Sequence, residues 1–306
     1  MEKEKYLIIA DSDLDGTVSC WLYNHMLTLQ HHKRDIQIDI LHTTVKKFRT
    51  DLTVWCNTHG ALSEYNIVQV LDIDTHNDYE FIDYENVYII DHHKSHVDNL
   101  HVYKNAHLNV EVYPSCAKLL YNTIKDNCRL TNDQKKLIFF ANDYDSYELK
   151  SPQSLMMNIV YWSYTGNRYE KFVSDFGNGF TEFKQNHKNM ITIWKNNFKQ
   201  MIENLVIFSS TINIDNKPYS CCSVFGEFAI NELAAYLFKK QKCDVVMIVN
   251  KTTQRVYVRR SKTCEADMSK FVLSLSDKEA GGHEAAAGCL LNNNIIELTK
   301  QFTRIH

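Results

Sequence analysis

The chain has 306 residues, 44% hydrophobic and 23% charged, a balance that excludes a disordered protein, while 9 glycines and 3 prolines exclude collagen-like and low-complexity classes. This length suggests two domains. A formal net charge of −3 argues against a large surface coating long duplex nucleic acid, which would need a basic face, but leaves a short or mononucleotide ligand open. The cysteines number 9, an odd count with no C-x-x-C spacing, so they read as buried thiols of a reducing compartment rather than zinc ligands. Met1–Lys5 carries both signs of charge, and the apolar run behind it is too short for a signal peptide or a membrane span. The expectation is a soluble, cytoplasmic protein without a membrane partner.

In chain order, Tyr6–Ala10 is a short continuous apolar run, the mark of a strand buried on both faces. An acidic turn, Asp11–Gly16, follows, and then Val18, Trp21, Leu22, Met26 and Leu29 recur at helical spacing. Ile36, Ile38 and Ile40 alternate as a second strand. Ile67–Leu71 makes a third, ending in Asp72, and Val87–Ile90 a fourth, ending in Asp91-His92-His93. Pro114-Ser115 opens a helix to about Asn127, and Thr131-x-x-Gln134 is a capping box for another that ends near Asn142-Asp143. Strands alternating with helices predict an α/β fold with a mostly parallel sheet, whose ligands lie beyond the carboxyl ends of the strands. Residues 181–205 carry a long amphipathic helix (Met190, Ile193, Trp194, Phe198, Met201, Leu205) that reads as a connector. Beyond it, Val206–Ile214 and Tyr219–Phe225 suggest antiparallel strands about an Asn216-Lys217-Pro218 turn. Glu227–Lys240 suggests a helix, and Val245–Val249 and Arg255–Val258 further strands. The expected domains are therefore 1–180, the connecting helix 181–205, and a smaller α/β domain, 206–306.

Five constellations carry chemistry. Asp11, Asp13 and Asp15 crowd three carboxylates into five residues after a buried strand, and such hard oxygen donors suit Mg²⁺ or Mn²⁺. An EF-hand loop would need Glu where Leu22 stands and a helix beforehand, so it is set aside. The nucleophile motif of haloacid-dehalogenase-type phosphatases is matched by Asp13–Thr17 and stays open for this segment alone. Asp72, with Asp74, ends a strand and reads either as a metal bridge or as a helix cap. Asp91-His92-His93 offers imidazole ligands with a neighbouring carboxylate to orient them. Asn142-Asp143-Tyr144-Asp145 follows an apolar helix and reads as a fourth acidic group or a plain helix end. Far downstream, Gly281-Gly282-His283 lets backbone N–H groups approach an anion, and the Ala285–Ala287 run behind it is expected to start a helix facing that anion. The plainer alternative there is a tight turn before a packed helix.

This ordered set resembles the DHH phosphoesterase superfamily, in the branch with a DHH-associated C-terminal domain. The resemblance runs from Asp11 to Gly288 and is closest to nanoRNases of the NrnB type, with RecJ nucleases as further relatives. It implies two Mn²⁺ ions, with Mg²⁺ or Co²⁺ as alternatives, in a cleft between the domains. By motif match the metal ligands would be Asp11, Asp13, Asp15, Asp72, His92 and Asp143, with Asp72 bridging. His93 would contact the scissile phosphate and Asp91 would orient the histidines. Arg260, Gly281, Gly282 and His283 would bind substrate, although this chain has two glycines where most members have three. The implied activity is end-acting hydrolysis of short oligonucleotides or dinucleotides to nucleoside monophosphates. The alternatives are a phosphatase for 3′-phosphoadenosine 5′-phosphate, a cyclic-nucleotide phosphodiesterase, and a non-catalytic nucleotide sensor. A homodimer is a further expectation.

Overall fold

The computed structural model describes residues 3–31, 36–276 and 280–305. It divides into two units, Met1–Thr192 and Ile193–His306. The first holds β1 (Glu4–Asp11), α1 (Leu14–Gln30), β2 (Ile36–Thr43), α2 (Phe48–His59), β3 (Ile67–Leu71), β4 (Val87–Asp91), α3 (Lys94–Val97), β5 (His107–Val110), α4 (Cys116–Ile124), α5 (Asn132–Asp145), α6 (Pro152–Ser163) and α7 (Arg168–Phe176). The strands form one parallel sheet in the order β2-β1-β3-β4-β5. Helices cover both faces, which is why β1 is apolar throughout its centre. Leu7 and Ile9 join Phe48 and Leu52 of α2 in one core cluster, while Ile8 is equally buried. The chain leaves β1 to one side for β2 and to the other for β3. That reversal opens a crevice at the carboxyl ends of β1 and β3, the usual place for a ligand in such sheets.

The expected connector is α8 (Gln185–Glu203), and the division between the units falls inside it rather than at its ends. The second unit continues with β6 (Ile207–Ile214), β7 (Lys217–Phe225), α9 (Ile230–Gln241), β8 (Val245–Asn250), β9 (Arg255–Arg260), α10 (Met268–Leu275), β10 (Gly281–Gly282), β11 (Ala286–Leu290), α11 (Asn293–Thr299) and β12 (Thr303–Arg304). Its mixed sheet runs β10-β11-β9-β8-β7-β6-β12, parallel only between β7 and β8. The β6–β7 turn is Asp215-Asn216, both with positive φ as a two-residue hairpin needs, so Lys217 and Pro218 belong to the strand.

The alanine run behind Gly282 forms β11, not a helix. Ala287 and Cys289 are buried, and Ala286–Leu290 pairs antiparallel with β9 along its whole length. Gly288 permits that approach, since a Cβ there would lie 2.9 Å from the Val256 carbonyl oxygen. Helix propensity is outweighed by this pairing and burial. All nine cysteines are free thiols and, Cys56 apart, buried. Among the described residues no helix is long and apolar enough to cross a membrane.

Candidate functional site

The end of β1 delivers Asp11, and Asp13 caps α1 by accepting the Gly16 N–H at 2.9 Å. Asp15, in the first turn of the helix, is buried. Its two oxygens accept the backbone N–H groups of Cys116 (2.6 Å) and Ala117 (3.1 Å) at the start of α4. A helix N-terminus is a natural seat for a carboxylate. Asp72 follows β3 in a left-handed conformation, φ +62, with its N–H held by the Ile90 carbonyl at 3.0 Å. That conformation is costly for a residue with a side chain and turns the carboxyl toward the crevice floor. Asp72 is buried, and its Oδ1 has no hydrogen-bond partner.

His92 is the centre of the cluster. Its Nδ1 donates to the Tyr113 carbonyl oxygen at 2.9 Å. In the neutral ring this donation leaves Nε2 as the nitrogen able to ligate a cation. That nitrogen lies 3.2 Å from Asp72 Oδ1, 3.5 Å from Asp145 Oδ2 and 4.0 Å from Asp15 Oδ2. Four electron-rich atoms face one another across distances that a cation would bridge. Asp15, His92 and Asp145 form one possible ligand group, and Asp72, Asp91, His92 and His93 another. The carboxyls respond accordingly. Burial, then Asp13, pushes Asp11 up to about 8. Burial and Asp13 likewise push Asp15 up to about 7, against the pull of the two N–H groups of α4. Burial, then Asp15 and Asp13, raises Asp72, and burial raises Asp13.

Asp91 and His93 are arranged differently. Asp91 is fully buried, which opposes its charge. Yet its Oδ1 accepts from His93 Nδ1 at 2.7 Å and its Oδ2 from His96 Nδ1 at 2.8 Å, and these hold it well below the usual carboxylate range. His96 is anchored in turn by the Tyr103 hydroxyl at 3.0 Å. Burial lowers His93, but Asp91, Asp145 and Asp74 outweigh it and lift the imidazole to about 10, so it is a cation at neutral pH. Asp74 stays beside the cluster as a local brace for Ser95 and His76.

Asp143 is not brought to the cluster. Its buried carboxylate accepts from Lys150 N–H (2.8 Å), Ser151 N–H (3.0 Å) and Ser154 Oγ (2.6 Å), tying the end of α5 to the start of α6. Asp145 faces His92 instead. The helix runs two residues further than expected, and residues two apart on a helix point to opposite sides. The signal was the Ser151-Pro152 helix start, which supplies backbone donors for Asp143 to accept.

In the second unit, Arg260, Gly281, Gly282 and His283 meet at one hairpin tip. The Arg260 N–H donates to the Ala285 carbonyl at 3.0 Å, and its guanidinium reaches the Ala266 carbonyl at 3.3 Å and the Glu284 carboxylate at 3.7 Å. His283 and Ala286 exchange backbone hydrogen bonds at 2.8 and 3.1 Å across the turn. Gly282 has φ +138, and a Cβ there would strike the Ala286 carbonyl oxygen at 2.4 Å, so only glycine fits.

A parallel α/β domain with Asp and Asp-His-His clusters at its strand ends, followed by a mixed-sheet domain, is a fold this chain shares with solved structures. The pGpG-specific phosphodiesterase PggH from Vibrio cholerae shares it with a TM-score of 0.56 and 13% identity, over 97% of this chain and 96% of that one. Exonuclease RecJ bound to manganese matches with a TM-score of 0.51 and 11% identity, over 97% and 88% of the two chains. RecJ in complex with Mn²⁺ from Thermus thermophilus gives 0.51 and 13%, covering 97% of this chain and 51% of that one. No protein-family model and no curated protein sequence matches the chain.

Proposed function

We propose that this chain is a divalent-cation-dependent phosphodiesterase that hydrolyses short oligonucleotides or dinucleotides from an end, releasing nucleoside monophosphates. The observation that carries the reading is His92 Nε2 lying 3.2, 3.5 and 4.0 Å from the carboxylates of Asp72, Asp145 and Asp15, with Asp72 Oδ1 buried and without a hydrogen bond. Imidazole mixed with carboxylates suits Mn²⁺ best, with Mg²⁺ or Co²⁺ as alternatives. Asp15, Asp72, His92 and Asp145 would hold two such ions, with Asp11 and Asp13 completing the set. When bound, the ions supply an activated water and charge neutralisation at a phosphoryl group.

The remaining roles belong to this chain's own groups. His93, hydrogen-bonded through Nδ1 to Asp91, presents its other ring N–H to a phosphoryl oxygen and stabilises the charge that develops there. Asp91 orients both His93 and His96 and stays ionised. Arg260 and the Gly281-Gly282-His283 turn are assigned to a substrate phosphate, which a guanidinium and backbone N–H groups suit. The structural neighbours support a phosphodiester substrate, one being a pGpG-specific phosphodiesterase and the other two RecJ, described as an exonuclease. The net charge of −3 supports a short one.

The test is product analysis. With Mn²⁺, the full chain is expected to convert pGpG, pApA and short RNAs to nucleoside monophosphates and to lose this activity in chelator. Release of inorganic phosphate from 3′-phosphoadenosine 5′-phosphate, with the dinucleotides left intact, would replace the reading with a phosphomonoesterase.

A further inference from the structure

None of the carboxylates or imidazoles of the acidic cluster comes from α6 (Pro152–Ser163), yet this helix grips two of the segments that supply them. At its start, the Ser151 N–H and the Ser154 hydroxyl donate to Asp143 at 3.0 and 2.6 Å, two residues before Asp145. Two turns later, the Tyr161 hydroxyl donates to the Ser12 carbonyl oxygen at 2.7 Å, between Asp11 and Asp13. Ser154 and Tyr161 stand seven residues apart, which puts them on one face of the helix.

The direction of the Tyr161 bond follows from its partners. A carbonyl oxygen only accepts, so the phenol proton points at Ser12, and the Thr17 hydroxyl of α1 donates to the phenol oxygen at 2.7 Å. Tyr161 and Thr17 are both buried, so each bond is costly to lose. The turn they hold has little slack. A Cβ at Gly16 would lie 2.4 Å from the Asp11 carbonyl oxygen. That same oxygen accepts from His42 Nδ1 at 3.2 Å, so successive carbonyls of the turn are held by β2 and by α6. Packing alone asks for no hydroxyl here: the Tyr161 ring already meets Phe172 edge-on at 6.1 Å, a contact phenylalanine would keep.

We infer that Tyr161 is a positioning residue: through its hydroxyl, α6 holds the Asp11-Ser12-Asp13 turn in register with Asp145 and so sets the spacing of the carboxylates that the cations need. The inference rests on the metal-centre reading of this crevice and adds to it a residue that ligates no ion and touches no substrate.

The experiment is Mn²⁺ calorimetry with melting temperatures on three full-length chains: the parent, Tyr161→Phe, and Tyr161→Phe combined with Thr17→Val. Tyr161→Phe strands the Thr17 hydroxyl and should lower the melting temperature of the metal-free chain by about 5 °C. It should also weaken Mn²⁺ by about 10–100-fold, the usual cost of losing a group that orients a ligand. The double variant removes the stranded hydroxyl as well, so most of the melting temperature should return while Mn²⁺ binding stays weak. Mn²⁺ affinity that recovers together with the melting temperature would reduce the bond to a structural one and overturn the proposal. Parent-like Mn²⁺ affinity in both variants would overturn it too, leaving the metal centre itself untouched. A parent chain that binds no Mn²⁺ would overturn the metal centre and this inference together.

Discussion

Replacing Asp143 and Asp145 one at a time separates two carboxylates that the sequence places side by side. Asp143→Ala deprives Lys150 N–H, Ser151 N–H and Ser154 Oγ of their acceptor. At about 1 kcal/mol for each stranded donor, the cost is about 3 kcal/mol. In a folding unit of this size, Met1–Thr192, each kcal/mol moves the melting temperature by about 2–4 °C, so a fall of about 10 °C is expected. Burial opposes the charge of this carboxylate, yet Ser154 and the two N–H groups hold it below its usual range. Its contribution is therefore complete above the unfolded value near 4 and lost as pH falls through the folded one, so the gap between variant and parent closes in acid. Asp145→Ala removes a carboxyl whose pKa burial, then Asp15 and Asp13, raises, so the melting temperature of the metal-free chain should be unchanged or higher. It should weaken Mn²⁺ by more than the 10–100-fold that a neighbour of a ligand typically costs, about 100-fold or beyond. Scanning fluorimetry and Mn²⁺ calorimetry on both variants read the two effects. Metal loss with an unchanged melting temperature in Asp143→Ala, paired with normal Mn²⁺ binding in Asp145→Ala, would refute the assignment.

The metal-free chain should be more stable at pH 5.5 than at pH 8.5. Asp11 and Asp15 have folded values raised to about 8 and 7, so their contribution shrinks as pH climbs from about 4, and that of His93, raised to about 10, fades above about 6.5. Mn²⁺ should therefore raise the melting temperature more at pH 8.5 than at pH 5.5, and the opposite order in a thermal-shift series would contradict the crowded-carboxylate account. His92→Ala should lose Mn²⁺, whereas His93→Ala should keep it and lose turnover by about 10²–10³-fold, the effect of one missing donor to a developing charge; equal metal loss in the two would remove that division of roles. Arg260→Ala and His283→Ala should raise KM for dinucleotides while bis-p-nitrophenyl phosphate hydrolysis barely changes. Parallel losses on both substrates, with a lowered melting temperature, would make the hairpin tip a structural turn only.

The strand ends were legible because a buried parallel strand is an unbroken apolar run, and a carboxylate at its end has few structural reasons to be there. That logic located Asp11–Asp15, Asp72 and Asp91-His92-His93, which the structure gathers about one crevice. It failed at Asp143 because a helix end hides which of two carboxylates two residues apart turns inward until the helix length is known. It failed at Ala285–Ala287 because alanine favours helices in isolation, while the pairing partner that overrides this, Arg255–Arg260, lies far back in the sequence. The hold of Tyr161 on Ser12 left no local trace at all. The two lie 149 residues apart, and only the fold brings them together.

The most direct measurement is a Mn²⁺ titration of the metal-free chain, followed by calorimetry, for the parent and for Asp72→Ala, with hydrolysis of pGpG measured in the same samples. The account predicts about two ions per parent chain, the loss of at least one in the variant, and hydrolysis that disappears with it while the melting temperature shows a folded protein. An Asp72→Ala chain that binds Mn²⁺ and cleaves pGpG like its parent would contradict the assignment of this crevice as the catalytic metal centre.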